Sequence, residues 1–283
     1  LIKLLGRAAL PPFFIQIIAA LSVTLVSTGI LWLVNHKYWE FFALIDPTIL
    51  TVGGIVLLVA GMMIVGAFQD AIDEYYVTAS ARLLKVVMLT LGIVLGVSMG
   101  LYAARQFGLA FVATPDSLSF TNTTYQYIGA VIISASFALS NNSRPFGLLI
   151  TGASGLLGYY VLLAVSELGL IIIPANAVAG FTVGFTATVV SRLTRIPSQA
   201  IIDAGIVPLV PGLTLYNGLM ALVANPAAAD GTLLLMRAVL IALAIAAGAS
   251  FGVLIGRPTR RSLVTLRNNL PERPLRSNQK QLK

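Results

Sequence analysis

Two prolines inside an uncharged apolar stretch are the first residues whose spacing suggests chemistry. Pro208 and Pro211 lie three residues apart, and Gly212 follows directly. A proline has no N–H and clashes with the carbonyl four residues earlier, so it breaks a regular helix. The pattern predicts irregular backbone that binds a polar ligand together with Tyr216 and Asn217. A kinked helix that packs without a ligand is the alternative interpretation.

A charged segment that follows another apolar stretch is the second candidate. It contains Asp70 and Asp73, then Thr78 and Arg82. A carboxylate at a membrane boundary can relay protons or hold an ammonium group. We therefore predict proton coupling by Asp70 and Asp73, and substrate binding by Thr78 and Arg82. A solvated loop with ordinary surface charges is the alternative, and it fits Asp73 better than Asp70.

For two other polar residues the sequence does not decide between a functional and a structural role. Asp203 precedes the two prolines, and Asn176 lies near the start of another apolar stretch. Either residue is compatible with a binding site or with an interfacial position. Glu167 is predicted to mark only a tight turn.

Several classes of function are excluded by what the chain lacks. It has no cysteine and one histidine, His36, so neither a thiolate nor a histidine metal cluster is available. No nucleophile–base motif is visible, which argues against an enzyme. The net charge of +8 does not indicate nucleic-acid binding, because eight of the 18 cations lie in residues 257–283 and most others lie at the ends of apolar stretches.

The elements that must position these residues are membrane-spanning helices. The chain is 58% hydrophobic and 10% charged, whereas soluble domains carry about 25% charged residues. A spanning helix needs roughly 20 mainly apolar residues. Eight stretches fit this description and predict an all-α integral membrane protein: 13–34, 48–68, 86–104, 125–140, 146–166, 168–190, 204–223 and 238–255. The seventh is predicted to be broken through residues 205–213.

The positive charges predict the orientation of these spans. With the N-terminus inside, fifteen Lys and Arg residues lie on the cytoplasmic side and three lie outside. Cytoplasmic segments of membrane proteins are enriched in these residues, so both termini are predicted to be cytoplasmic. Residues 257–283 read as a basic, disordered cytoplasmic tail, which can also touch anionic lipid.

An internal repeat divides the chain. Residues 54–61 match residues 205–212 at six of eight positions, and the following span in each case carries glycines four apart. Equivalent spans are five crossings apart and must run in opposite directions, which is an inverted repeat of the kind found in secondary transporters. We predict the last three spans of one repeat in residues 1–112 and five spans in residues 113–256. The two missing spans of a five-plus-five arrangement are expected upstream of Leu1.

The two motifs together resemble one family. The first motif runs Gly66-Ala67-Phe68-Gln69-Asp70-Ala71-Ile72 and continues as Tyr76-Val77-Thr78-Ala79-Ser80-Ala81-Arg82, and the second is Pro208-Leu209-Val210-Pro211-Gly212 with Tyr216. They are similar to the motifs of the threonine/serine exporter family, in the same order and spacing. The resemblance covers nearly the whole chain up to about Arg257. The chain differs from the family by lacking its soluble N-terminal region and its first two spans.

The resemblance implies an exporter of threonine and serine in the bacterial inner membrane. It implies no cofactor other than protons, whose motive force would drive export. The partners are then a small amino acid and the lipid bilayer, while a homo-oligomer stays open. An uncoupled channel or facilitator for another small polar solute is the alternative, since related members can carry other solutes.

Overall fold

The computed structural model describes residues 10–35, 54, 61–106, 123–224 and 229–268. Within these ranges the chain is helical and contains no strand, which confirms the all-α prediction. The nine described α-helices are α1 (Pro12–Asn35), α2 (Gly61–Ile72), α3 (Tyr76–Gln106), α4 (Thr123–Ser140), α5 (Pro145–Glu167), α6 (Ile172–Thr194), α7 (Ser198–Ile206), α8 (Gly212–Ala224) and α9 (Ala229–Asn268), and a 3-10 helix, Val207–Leu209, follows α7.

Five of the described helices are long and apolar enough to cross a membrane. They include α1, α3, α5, α6 and residues Asp230–Arg257 of α9, and a sixth span results if α7 and α8 are counted as one broken span. Helix α2 is a shorter apolar helix, and most of the predicted second span lies outside the described residues. A multi-pass membrane protein follows directly, although the described part does not reach the predicted eight spans.

A tight turn connects α2 to α3. Tyr75 N–H donates to the Asp70 carbonyl at 2.8 Å, and Glu74 N–H donates to the Ala71 carbonyl at 3.2 Å. Glu74 has a φ of 68°. These are the two hydrogen bonds and the left-handed residue of a Schellman cap. The cap reverses the chain within three residues and places the start of α3 beside the end of α2.

The turn predicted around Glu167 has the same design. Helix α5 ends there, Leu170 N–H donates to the Val165 carbonyl at 3.3 Å, and Gly169 N–H donates to the Ser166 carbonyl at 3.1 Å. Gly169 has a φ of 90°, a conformation that glycine adopts without a Cβ clash. The structure therefore confirms a tight connection between the fifth and sixth spans.

The seventh span is broken, as the prolines predict. Helix α7 ends at Ile206, Val210 is extended, and α8 begins at Gly212 after a bend of 51°. Pro211 offers no N–H to the Val207 carbonyl, which instead accepts from Val210 N–H at 3.3 Å. The 3-10 turn thus gives this carbonyl one partner in place of the N–H that Pro211 lacks.

Glycines four apart bring two pairs of helices into backbone contact. In α3, a Cβ on Gly92 would lie 2.9 Å from the Phe13 carbonyl oxygen of α1. In α9, a Cβ on Gly252 would meet the Phe181 carbonyl of α6. A side chain at either position would separate the helices, so both crossings depend on small residues. The structure confirms the close helix approach that the glycine spacing predicts.

Helix boundaries differ from the predictions at two charged ends. Helix α3 begins at Tyr76 rather than near residue 86, because the charged segment continues the helix. Thr78 and Arg82 are therefore helical residues rather than loop residues. At the other end α9 continues to Asn268, which places the first part of the predicted disordered tail in a helix.

Candidate functional site

A cavity of about 1090 Å³ opens where α2 and α4 end and where α3 and α7 begin. The sequence predicts that this end of the molecule faces the cytoplasm. The cavity walls combine apolar side chains with nine polar or charged ones: Gln69, Asp70, Asp73, Arg82, Lys85, Gln199, Asp203, Ser250 and Arg257. Acids and cations thus share one concave space, which is the combination that a zwitterionic ligand requires.

The first half of the chain contributes an ion pair. Arg82 Nη1 lies 2.9 Å from Asp70 Oδ2, and the same nitrogen donates to the Gly66 carbonyl at 3.4 Å. The capped turn between α2 and α3 brings these residues together. The pair is a charge contact without the alignment of a hydrogen bond, and the Arg82 side chain is 48% exposed. The Asp70 side chain is 21% exposed and its Oδ2 is buried, so the pair joins an accessible guanidinium group to a largely buried carboxylate.

The second half contributes Asp203 from the short helix α7. Pro197 precedes the first residue of this helix, and Gln199 lies one turn before Asp203. Gln199 Nε2 donates to Asp203 Oδ1 at 2.8 Å. Arg82 is near enough for its positive charge to act on Asp203, yet within the described ranges the one ion pair is that of Arg82 with Asp70. Asp203 is thus a half-buried carboxylate whose described contact is a neutral amide.

Helix α9 forms the third wall. Ser250 and Arg257 lie on the same face of this helix and line the cavity. Residues spaced three or four apart share a helix face, and Ala247 and Leu254 complete the row. The opposite face carries the glycines that contact α6. One helix therefore forms both a tight crossing and a polar cavity wall.

The structure brings together three of the predicted site residues. Asp70, Asp73 and Arg82 line the cavity, whereas Thr78 is exposed on α3 and lies outside the lining. Asp73 lies in the exposed turn after α2. The charged segment is therefore part of one site, with its hydroxyl residue outside it.

The proline break lies apart from this lining. None of the predicted residues Pro208, Pro211, Gly212, Tyr216 and Asn217 is among the residues that line the cavity. Tyr216 is 1% exposed, and its hydroxyl has no hydrogen-bond partner in the described part of the chain. The break thus bends the span and carries a buried polar group, while the cavity lies beside the other half of the same span.

Sequence reasoning missed most of the polar lining beyond the charged segment. The sequence indicates Lys85 and Arg257 only as cations on the cytoplasmic side, and it gives no signal for Gln69 or Ser250. For Asp203 it does not decide between a binding site and an interfacial position. The spacing of Gln199 and Asp203, one turn apart after a proline, is a local signal that could have indicated a positioned carboxylate. Among the described residues no group of His, Asp and Glu could hold a metal ion.

Comparisons with known proteins identify relatives for both halves of the chain. Residues 1–103 match a family model described as "Putative threonine/serine exporter", and residues 126–255 match one described as "Threonine/Serine exporter, ThrE". The "Probable threonine/serine exporter" of Mycobacterium tuberculosis is 30% identical over 265 residues, which cover 91% of this chain and 48% of that protein. The "Threonine/serine exporter" of Corynebacterium glutamicum is 31% identical over 263 residues, or 92% of this chain and 51% of that protein.

The chain spans about half the length of these curated relatives. No solved structure matches it. Both family models describe threonine/serine exporters, and they match the chain on either side of residues 104–125. The two motifs, around Asp70 and around Pro208, fall one in each match. The chain therefore belongs to the threonine/serine exporter family.

Proposed function

We propose that this chain forms the transport path of a secondary exporter that moves threonine and serine out of the cell. The observation that carries the proposal is the cavity that holds both Asp70–Arg82 and Asp203. A small amino acid is a zwitterion, and it needs one cationic and one anionic partner in a confined space. The names of the relatives supply the substrate class, while the cavity supplies a place for the charges of the substrate.

Arg82 is the proposed ligand for the substrate carboxylate. Its planar guanidinium group can form two parallel hydrogen bonds to a carboxylate, and its present partner is held by one nitrogen at 2.9 Å. Lys85 lies one turn further along α3 and also lines the cavity. Both cations therefore favour the acidic end of an amino acid at this wall.

Asp70 is the proposed coupling residue, with Asp73 as a second candidate nearer the exposed turn. The charged Asp70 positions Arg82 for the substrate carboxylate, and a proton on Asp70 would release Arg82 and weaken this site. A proton and the substrate would thus bind in alternation. This exchange of an inward-moving proton for an outward-moving substrate accounts for export driven by the proton motive force.

The proline break provides a second set of proposed ligands. Tyr216 and Asn217 follow the break, and the unpartnered Tyr216 hydroxyl is a group that a substrate hydroxyl could satisfy. Pro208, Pro211 and Gly212 supply the 51° bend between the two parts of the span, and this irregular backbone is the proposed place for the ligand. In an exporter that alternates its access, this site would be occupied after the cavity. Thr78 stays a predicted ligand that would need α3 to move.

An inverted repeat is the proposed architecture, and helix contacts support it. The glycines of α3 contact α1, and the glycines of α9 contact α6 in the same order along the chain. Gly100 meets Thr24 as Gly256 meets Thr188. Helix α2 packs on α3 and α9, while α8 packs on α9 and α3. In two halves related by a two-fold axis, α2 and α8 would be equivalent, and each would pack on the following helix of its own half and on the corresponding helix of the other half. The full arrangement would then have five spans in each half.

The proposed orientation places both ends of the chain in the cytoplasm of a bacterial inner membrane. The cavity then opens to the cytoplasm, the side from which an exporter collects its substrate. Because the chain contains no cysteine, a single cysteine in place of Glu167 would report the orientation. An impermeant thiol reagent should label it only from outside, and labelling only from the cytoplasm would reverse the assignment.

Efflux of threonine tests the function. Vesicles that contain the full chain and preloaded threonine should release it faster when a proton gradient is imposed, and an ionophore should remove the difference. Release that equals that of protein-free vesicles would contradict export. Release through the protein at one rate with and without the gradient would favour the uncoupled facilitator instead.

A further inference from the structure

The cavity holds three carboxylates in unlike environments, and their contacts separate them. Asp70 is neutralised by Arg82 at 2.9 Å. Asp73 is exposed in the turn after α2, where water can solvate its charge. Asp203 lies in α7 and is half-buried, so water reaches it less than it reaches Asp73. Its described hydrogen-bond partner is the neutral Gln199 amide. A carboxylate within a membrane span is costly unless another group compensates its charge. Within the described residues Arg82 acts on Asp203 only from a distance, and Asp203 is the half-buried acid of the cavity without an ion-pair partner.

Gln199 satisfies Asp203 only in part. Its amide nitrogen donates one hydrogen bond of 2.8 Å to Oδ1, while a carboxylate can accept about four. A neutral donor orients the carboxylate without cancelling its charge. The remaining acceptor positions are available to the cavity, and a cation with several N–H donors would complete them.

The cations of the cavity belong to other helices. Arg82 and Lys85 extend from α3, and Arg257 extends from α9. Arg82 is already engaged with Asp70 and with the Gly66 carbonyl. The arrangement therefore offers separate partners for the two charges of a small ligand: Asp203 on one wall and the cations on the others. Ser250 lines the same space.

We propose that Asp203, oriented by Gln199, is the ammonium-binding residue of the cavity and selects ligands that carry a primary ammonium group. This inference rests on the proposed function for the identity of the natural ligand, threonine or serine. The inference assigns ammonium binding to a residue outside both of the motifs that resemble the exporter family. It predicts that the cavity distinguishes amino acids from hydroxy acids of the same size. A hydroxy acid would keep its carboxylate partner but would leave Asp203 without a counter-charge.

Ligand-induced stabilisation tests the inference without requiring transport. The midpoint of thermal unfolding of the purified full chain would be measured with three probes: threonine, 3-hydroxybutanoate, which lacks the ammonium group, and 1-amino-2-propanol, which lacks the carboxylate. The wild-type protein should be stabilised by threonine and, more weakly, by 1-amino-2-propanol. In Asp203→Asn the affinity for both should fall at least about tenfold, a loss of about 1.4 kcal/mol.

Two control variants keep the result interpretable. Glu74→Gln removes an exposed acid at the same end of the molecule, outside the cavity lining, and its response should match that of the wild type. Asp203→Glu retains the charge and should keep part of the threonine response. If Asp203→Asn does not fold, a Gln199→Ala variant, which leaves the carboxylate unoriented, should still weaken binding of threonine.

The outcomes separate this inference from the proposed function. Equal threonine affinity in Asp203→Asn and wild type would overturn the role of Asp203 and leave the exporter proposal standing. Stabilisation by 3-hydroxybutanoate as strong as that by threonine would also overturn it. A wild-type protein that ignores threonine but binds 1-amino-2-propanol through Asp203 would support the ammonium site and contradict the proposed substrate.

Discussion

Helix α9 has two faces that serve opposite purposes. On one face Gly248 and Gly252 let the backbone of α6 approach so closely that no side chain would fit, and Gly256 faces the Thr188 side chain of α6. On the other face Ser250 and Arg257 border the cavity. The first face gives rigidity through backbone contact, and the second leaves space and charge for a ligand. Changes to the glycine face should therefore affect folding, and changes to the cavity face should affect transport.

Adding a methyl group to the glycine face should have the largest effect. The Cβ of Gly252→Ala would meet the Phe181 carbonyl and would lie 2.7 Å from the Phe185 nitrogen, and both are backbone atoms that cannot rotate away. Overpacking of this kind costs about 1–3 kcal/mol. We expect a lower unfolding midpoint and less folded protein in the membrane. An unchanged midpoint would show that the two helices do not depend on this contact.

Removal of Arg82 from the cavity should reduce transport more than stability, the reverse of what we expect for Gly252→Ala. In Arg82→Gln we expect threonine efflux to fall at least about tenfold, because the proposed carboxylate ligand is lost. Stability should fall less than in Gly252→Ala, because the Arg82 side chain is 48% exposed and its removal brings no backbone atoms into overlap. Arg144→Gln removes an exposed cation from the same end, outside the cavity lining, and should leave efflux unchanged. Equal losses in both variants would indicate a general effect of charge instead of a binding site.

Replacement of the two prolines at the break, which restores two backbone N–H donors, should have an effect of intermediate size. Each proline costs about 3 kcal/mol in a helix interior, so the double variant Pro208→Ala, Pro211→Ala should favour a straighter span. Spin labels on cysteines at Ser198 and Leu222 should move apart by a few ångström as the 51° bend opens. We expect efflux to fall severalfold while the protein stays folded. A straight span with wild-type efflux would remove the bend from the mechanism.

Substitutions at unpacked glycines should have the smallest effect and provide the control for the glycine face. A Cβ on Gly129 or Gly29 would meet no atom within 4 Å. Alanine there should raise stability slightly, by at most about 1 kcal/mol, because glycine loses more backbone entropy in a helix. Equal destabilisation of Gly129→Ala and Gly252→Ala would contradict the assignment of a special packing face.

Much of the fold follows from local signals in the sequence. Apolar length predicts where the described spans lie, the prolines predict the broken seventh span, and the glycine spacing predicts the tight helix crossings. The ends of helices are less certain, because charged residues such as Arg82 can extend a helix beyond the apolar core. Helix α3 begins about one-third of its length before its apolar run for this reason.

The site is only partly predictable because it forms between elements distant in sequence. Asp70 and Arg82 are neighbours across one turn, so a single motif predicts both. Asp203 reaches the same cavity from α7, and Arg257 reaches it from α9. Neither the proximity of these residues nor the pairing of Arg82 with Asp70 rather than Asp203 can be read from spacing. Those facts depend on how the helices pack.

Protection of a single cysteine in the cavity tests the central claim most directly. Ser250→Cys places a reactive thiol in the lining of a chain that has no other cysteine, and Ser140→Cys, at the same end but outside the lining, is its control. We predict that an impermeant thiol reagent labels position 250 from the cytoplasmic side, and that threonine slows this labelling but leaves labelling at position 140 unchanged. Labelling of position 250 at one rate with and without saturating threonine would contradict the account.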